Sequence, residues 1–307
     1  MITYKNIKSK RQWKATTGLC SDKFHRLCKV FGACYINTYG LSLSEIEVNL
    51  RTEFLLKTYE DCLFFVLFQM KNGLTYDSLG LLINTDSSNA QRNYEKYLSI
   101  LESALESLSA MPKRSFKNIS EFESYLQEKE IIIDATEHAT QRPEENEAQK
   151  EVYSGKKKLL GGIPHTYKEL IISNKNRQIL YISKTYKGKQ HDYSLLKQEF
   201  PAQISWFDKF IVHLDLGFIG FADLYPCKKL HIPVKKKRAA KGNKNELNET
   251  QKKHNKEEAS QRIFVEHSIG GMKRYKILVH RNRLKNKKII NQTIGVCAAL
   301  WNFNLQP

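Results

Sequence analysis

A chain of 307 residues with 50 Lys and Arg against 32 Asp and Glu carries a formal charge of +18, a surplus that points to a polyanionic partner such as nucleic acid. Its apolar fraction of 41% is ordinary for a soluble protein, and no apolar run approaches the ~18 residues of a membrane span, the longest being CLFFVLF at residues 62–68. The N-terminal MITYKNIKSKRQWKATTG lacks a signal-peptide core, so a cytoplasmic protein is expected, its six cysteines (Cys20, Cys28, Cys34, Cys62, Cys227, Cys297) reduced and too irregularly spaced for a zinc site.

The first third reads as helical. SDKFHRLCKVFGACYINTYG (21–40) and TYEDCLFFVLFQMKNG (58–73) repeat apolar residues at helical spacing, and the second stops at Gly73. A short helix from Thr75 to about Ile83 then runs into the polar turn Asn84-Thr85-Asp86 and a second helix capped by Ser87 or Ser88. With residues 62–72 as support, this is the layout of a helix-turn-helix, at about 58–100 within an all-α domain 1–105. Ser88, Asn89, Gln91, Arg92 and Lys96 fall on the expected exposed face of the second helix, able to reach base edges and phosphates. Residues 106–128 form a polar connector with one short helix.

From residue 129 the texture changes to strands. EIIIDATEH (130–138), PHTYKELIIS (164–173), QILYISKTY (178–186), KFIVHLD (209–215) and KLHIPVK (229–235) are β-like, interrupted by the helical HDYSLLKQEF (191–200) and GFIGFADLY (217–225). A mixed sheet flanked by helices follows, an α/β domain over 129–307. Asp134 and Asp215 each close an apolar strand, at the edge where such sheets bind ligands. Glu266 lies on a later helix able to pack over that edge. Together they suit an oxygen-only cage for one or two hard divalent ions, and a Mg²⁺ pair roughly 4 Å apart supports in-line displacement at a phosphodiester. Taken singly, each Asp is an ordinary turn or cap residue.

In QRIFVEHSIGGMKRYKIL (261–278), Arg262, Glu266 and Lys273 fall within roughly 40° of one another at about 100° per residue. Such a stripe alone is a solvated face with an i,i+4 ion pair. Bases gather at 234–256 and 273–288. The first run, with Lys235, Lys236, Lys237 and Arg238 in a Lys-rich insertion at about 235–256, is either a solvated loop or a DNA-backbone contact. Asp192 reads as the cap of the helix that follows it. His138, His191, His213 and His267, beside the candidate carboxylates, are placed to orient them.

Several landmarks in order give a family resemblance: IIIDATEHATQRP with Asp134, YSGKKK followed by HTYKELIIS, GKQHD at 188–192, HLDLGFIGF with Asp215, and RIFVEHSIGGMKRYKIL with Glu266. From about residue 130 onward the chain resembles a DDE-type transposase of the insertion-sequence-five group, to which harbinger-type transposases are related. The Arg-x3-Glu-x6-Lys spacing is kept in Arg262, Glu266 and Lys273, whereas a tyrosine common three residues before the arginine is replaced by Ala259. LLGGIP (159–164) is a local insertion without an assigned role. The resemblance implies an RNase H-like catalytic domain using Asp134, Asp215 and Glu266 on two Mg²⁺ or Mn²⁺ ions, with Arg262 and Lys273 as phosphate contacts. It further implies a nucleoid-associated, bacterial-type protein with double-stranded DNA as partner, both terminal inverted repeats and target, and at least a dimer on DNA. A catalytically silent DNA-binding regulator and a general RNase H-like nuclease are the rival readings; the three intact carboxylates disfavour the first, and the N-terminal helices the second.

Overall fold

The computed structural model describes residues 2–51, 53–159, 162–236, 246–284 and 286–307; Lys237 and Arg238, and Leu160 and Gly161 of LLGGIP, lie outside the described residues. The helical first third comprises α1 (Lys10–Thr16), α2 (Ser21–Tyr39), α3 (Leu43–Leu50), α4 (Tyr59–Asn72), α5 (Tyr76–Ile83) and α6 (Ser87–Ser107). Then come α7 (Ile119–Tyr125), β1 (Glu130–Ala139), α8 (Asn146–Val152), α9 (Gly155–Leu159), β2 (Thr166–Ser173), β3 (Ile179–Ile182) and β4 (Tyr186–Lys187). The remainder is α10 (Asp192–Glu199), β5 (Ile211–His213), α11 (Phe221–Leu224), β6 (Lys229–His231), α12 (Glu249–Met272) and α13 (Lys287–Leu305). The chain divides into two compact units: Met1–Met111, His138–Arg142 and Met272–Pro307 form one, and Pro112–Glu137 with Pro143–Gly271 the other.

In the helical unit, local capping sets the boundaries. The Thr58 and Thr75 hydroxyls accept from Asp61 and Ser78 N–H groups at the starts of α4 and α5, and Gly73 (φ 62°) ends α4 in the left-handed region that glycine enters without strain. Asn84 ends α5 at φ 61°, a conformation its short polar side chain tolerates. Gly80 is required by the turn, since a Cβ there would lie 2.6 Å from the Thr85 carbonyl oxygen. The cap of α6 is Asp86, whose Oδ1 accepts from Asn89 N at 2.9 Å, and not Ser87 or Ser88 as the sequence suggested. A carboxylate outcompetes the adjacent hydroxyls because it carries full charge at the positive end of the helix dipole.

Long α6 is the hub, packed on α2, α4, α5 and α13. Tyr94 meets Thr293 at 3.1 Å, Gln292 donates to Glu102 at 2.6 Å, and Asn302 donates to the Ala110 carbonyl at 3.0 Å. The C-terminal helix therefore belongs to the helical unit, whereas a linear division had placed all of 129–307 with the sheet. Sequence order hid this because α13 is apolar nearly all round, a pattern that marks burial without naming the partner.

The sheet unit is built on the strand order β3-β2-β1-β5-β6, with β4 also paired to β2. β1, β5 and β6 run parallel, while β2 is antiparallel to β3 and β4, so the sheet is mixed as expected. Alternation sorts the side chains: Ile131, Ile133, Val212 and Leu214 enter a core with Phe122, Phe200, Trp206, Phe207 and Phe210, whose rings meet edge-on or tilted at 5.2 to 5.8 Å. The opposite face receives α12, pinned at four places along its length. Asn255 bonds to Val234, Glu258 to His231, Arg262 approaches Asp134, and the Ser268 hydroxyl donates to the Arg177 carbonyl at 2.8 Å.

Candidate active site

The parallel ladder between β1 and β5 pairs Glu130 with Ile211, Ile131 with Val212 and Ile132 with His213. Asp134 and Asp215 each lie two residues past the last of these rungs. That common offset puts both on the sheet face of Ile132 and His213, at the level where β5 ends. Asp134 is not the end of its strand, as the sequence suggested, because β1 continues to Ala139; it meets the cleft because its β5 neighbour has stopped.

Backbone contacts fix both carboxylates. Asp134 Oδ1 accepts from Ala135 N at 2.8 Å, and Asp215 Oδ1 accepts from Gly217 N at 2.7 Å, capping the 3₁₀ turn Leu216–Phe218. The Asp134 side chain is 14% exposed, and Arg262 Nη2 stands 3.6 Å from its Oδ2. Burial first, then the negative charge of Asp215, pushes the Asp134 carboxyl up to about 6, against the opposing pull of Arg262.

A third carboxylate joins them. A Cβ on Gly217 would meet Asp215 Oδ1 at 2.8 Å and Asp192 Oδ2 at 2.9 Å, so the two oxygens flank a space that only glycine leaves open. Asp192 is not the helix cap expected from sequence: His191 holds that position without a side-chain bond, and Asp192 is the first residue of α10. Its carboxylate pairs with Lys168 at 2.9 Å, and the same buried ammonium reaches Glu137 at 3.4 Å and the Gln190 carbonyl at 2.8 Å. The GKQHD landmark marked this position, but the pairing with Lys168 of β2 is a tertiary event.

Glu266 sits on α12 one turn beyond Arg262 and is exposed. Among the described residues, the only His, Cys, Asp or Glu trio whose donor atoms all lie within 4.8 Å is His213, His231 and Glu258, so Glu266 is not gathered to that degree with Asp134 and Asp215. The expected stripe is corrected at its far end, because α12 stops at Met272 and Lys273 lies in the turn beyond it, in the helical unit. Glu258, Arg262 and Glu266, spaced by four, are the residues that α12 aligns. Of the histidines, His213 is buried and bonded to Glu130 at 2.8 Å, His138 bonds to the Leu278 carbonyl at 3.2 Å, and His191 and His267 are exposed.

In the helical unit, Ser88, Asn89, Gln91 and Arg92 are exposed at the start of α6, and Arg92 Nη2 donates to Asn89 Oδ1 at 2.9 Å. Lys96 is corrected: it is half-buried, donates to the Tyr35 hydroxyl at 2.9 Å and lies 4.9 to 5.8 Å from the rings of Tyr39, Tyr35, Tyr97 and Phe54. Four aromatic faces attract the ammonium more than a solvated face does, and burial lowers its pKa. A cleft of about 490 Å³ in this unit is lined by Ser87, Ser88 and Gln91 together with His280, Arg281 and Arg283. The sequence signalled these arginines only as part of the basic run 273–288. Lys235 and Lys236 are exposed.

A family model described as DDE superfamily endonuclease matches residues 133–302, more than half of the chain. The chain belongs to the DDE superfamily of endonucleases. The match begins just before Asp134 and takes in Asp215 and Glu266. This endonuclease is also 28% identical over 247 residues, 80% of each chain, to a probable transposase for insertion sequence element IS702 from Microchaete diplosiphon. No solved structure gives a significant match. Family and relative agree on a DDE-type insertion-sequence enzyme with an α/β nuclease unit, and no described helix is long and apolar enough to cross a membrane.

Proposed function

We propose that this endonuclease is the transposase of an insertion sequence. Its sheet unit, read as RNase H-like, cleaves DNA at the element ends and joins the freed 3′-OH ends to target DNA. Its helical unit binds the terminal inverted repeats through a helix-turn-helix of α4, α5 and α6. The observation that carries the reading is the Asp134 and Asp215 pair two residues beyond one rung, with Asp134 pushed up to about 6. Two carboxylates that repel in a partly buried cleft are the arrangement a hard divalent cation relieves, and an oxygen-only donor set fits Mg²⁺ or Mn²⁺. Asp134, Asp215 and Glu266 would hold two such ions, which supply charge stabilisation at the attacking and leaving oxygens.

The chain's own part is positional. Gly217 leaves room for the carboxylates, Lys168 fixes Asp192 beside them, and Arg262 balances charge at Asp134 and stands ready for a DNA phosphate. In the first step a water oxygen bonds to phosphorus as the P–O3′ bond breaks. In the second, the freed 3′ oxygen gives up its proton and bonds to a target phosphorus as that phosphorus's own P–O3′ bond breaks, leaving a new 3′-OH on the target strand, with no covalent enzyme intermediate. Ser88, Asn89, Gln91 and Arg92 would read the element end, while Lys235, Lys236 and Lys273 contact the backbone. Engaging both ends requires at least two copies.

Labelled element-end duplex and random duplex, incubated with the protein and Mg²⁺, Ca²⁺ or chelator, test the reading. Specific retention in all three with strand cleavage only in Mg²⁺ is expected. Specific retention without cleavage in Mg²⁺ or Mn²⁺ would leave a silent DNA-binding regulator, and equal cutting of both duplexes would leave a general nuclease.

A further inference from the structure

Glu258 and the histidines beside it form a second cluster that phosphodiester chemistry leaves unused. The parallel register pairs His213 of β5 with His231 of β6, so both imidazoles stand on the face covered by α12, their rings stacked at 4.4 Å and 15°. Glu258 comes down from α12, 4% exposed, and its Oε1 accepts from His231 Nδ1 at 2.7 Å. His213 Nε2 donates to Glu130 Oε1 at 2.8 Å. That bond fixes the tautomer and leaves Nδ1 with a lone pair.

His213 Nδ1 faces Glu258 Oε2 at 3.6 Å, and both atoms are buried and make no hydrogen bond. Two acceptors turned toward each other out of water repel, unless a cation sits between them. The separation suits that arrangement: with ligands at about 2.0–2.2 Å from one ion, 3.6 Å corresponds to an angle of about 120°. Glu130 already occupies the place of the carboxylate that backs a metal-bound histidine, and it is itself held by Lys175 at 2.7 Å.

We propose that His213, His231 and Glu258 hold one borderline divalent ion, Zn²⁺ or a first-row neighbour, at a site separate from the Asp134 and Asp215 pair. Two imidazoles and one carboxylate form a donor set for Zn²⁺ with a fourth position open, whereas Mg²⁺ prefers oxygen alone. Loading requires His231, the more exposed of the two rings, to turn off the stack and give up its Nδ1 proton. The ion joins β5, β6 and α12, and so holds the helix that carries Arg262 and Glu266 to the strand that leads to Asp215. The proposal does not depend on the transposition reading.

The full chain, stripped with chelator and dialysed, is titrated with Zn²⁺ alone, following bound metal by a competing chromophore and folding by the thermal midpoint. One equivalent should bind and raise the midpoint, and Co²⁺ in its place should give the visible absorption of a four-coordinate ion. His231→Ala, at a partly exposed ring, should weaken binding by more than about 100-fold while keeping the helical circular dichroism, and Glu130→Gln should weaken it by about 10–100-fold. Asp134→Asn with Asp215→Asn should bind Zn²⁺ as the parent does. The proposal is overturned by no stoichiometric binding. It also fails if binding survives His231→Ala, which assigns the ion to thiols or surface groups, or if it disappears with the two aspartates, which assigns it to the active site.

Discussion

The two acidic ends of one helical stripe are treated in opposite ways. Glu258 is buried, with a hydrogen bond to His231 and a close approach to His213, while Glu266, eight residues later on the same face of α12, is exposed. The buried end anchors the helix to the sheet, and the exposed end leaves its carboxylate in solvent. A buried carboxylate and an exposed one thus differ by two turns of helix, and if Glu266 has the catalytic role proposed for it, substitution should separate the two.

The largest separation is expected in cleavage. Glu266→Gln should reduce cutting of an element-end duplex by about three orders of magnitude with an unchanged thermal midpoint, and Asp134→Asn and Asp215→Asn should match that loss of cutting, the three losses not being additive. Glu258→Gln should instead lower the midpoint, since it weakens a buried charge-assisted bond. Equal loss of stability at Glu258 and Glu266 would erase the distinction.

Next in size is the Lys168 network. Asp192→Ala leaves a buried ammonium with the Gln190 carbonyl and the more distant Glu137, and should cost about 2–3 kcal/mol in denaturant unfolding, with cleavage reduced as well. A cost near 1 kcal/mol with full activity would restore Asp192 to the rank of an ordinary first-turn residue.

Asp134 offers a pH test of similar scale. Its carboxyl is raised in the folded protein, so between about pH 4 and 6 the native state binds more protons than the unfolded chain and stability falls as pH rises. Asp134→Asn removes that penalty. In metal-free buffer it should be more stable than the parent at pH 7.5 by up to about 2–3 kcal/mol, discounted by whatever Arg262 loses, and should show no advantage at pH 4. A difference that does not change with pH would show that the carboxylate is not raised.

The smallest effect concerns the helical unit. Arg281→Ala and Arg283→Ala should each weaken binding to all duplexes alike, with the salt slope reduced by about 1 apiece, whereas Gln91→Ala should alter preference among sequences. Loss of sequence preference on removing the arginines would move them from backbone to base contact.

Much of this was legible beforehand, for identifiable reasons. Strand alternation located β1, β2, β3, β5 and β6, and turn residues located α5 and α6, because these signals are local. Lys96 was misread because the aromatic rings around it come from α2, α6 and residue 54, which no window of sequence brings together. The stripe through Lys273 failed because periodicity says which residues share a face and not where the helix stops. His213, His231 and Glu258 were invisible as a trio, since register across two parallel strands and a covering helix is set by the fold.

The packing of α13 against α6 has a consequence in time. Residues 287–305 leave the ribosome long after residues 1–111, by about 10–40 s at ordinary elongation rates. Until then the Tyr94 and Glu102 side chains of α6 lack Thr293 and Gln292, so the helical unit cannot reach its final form during most of translation. The helical unit is thus completed only after the whole sheet unit has been made, and a nascent or truncated product that lacks α13 carries an unfinished helical core.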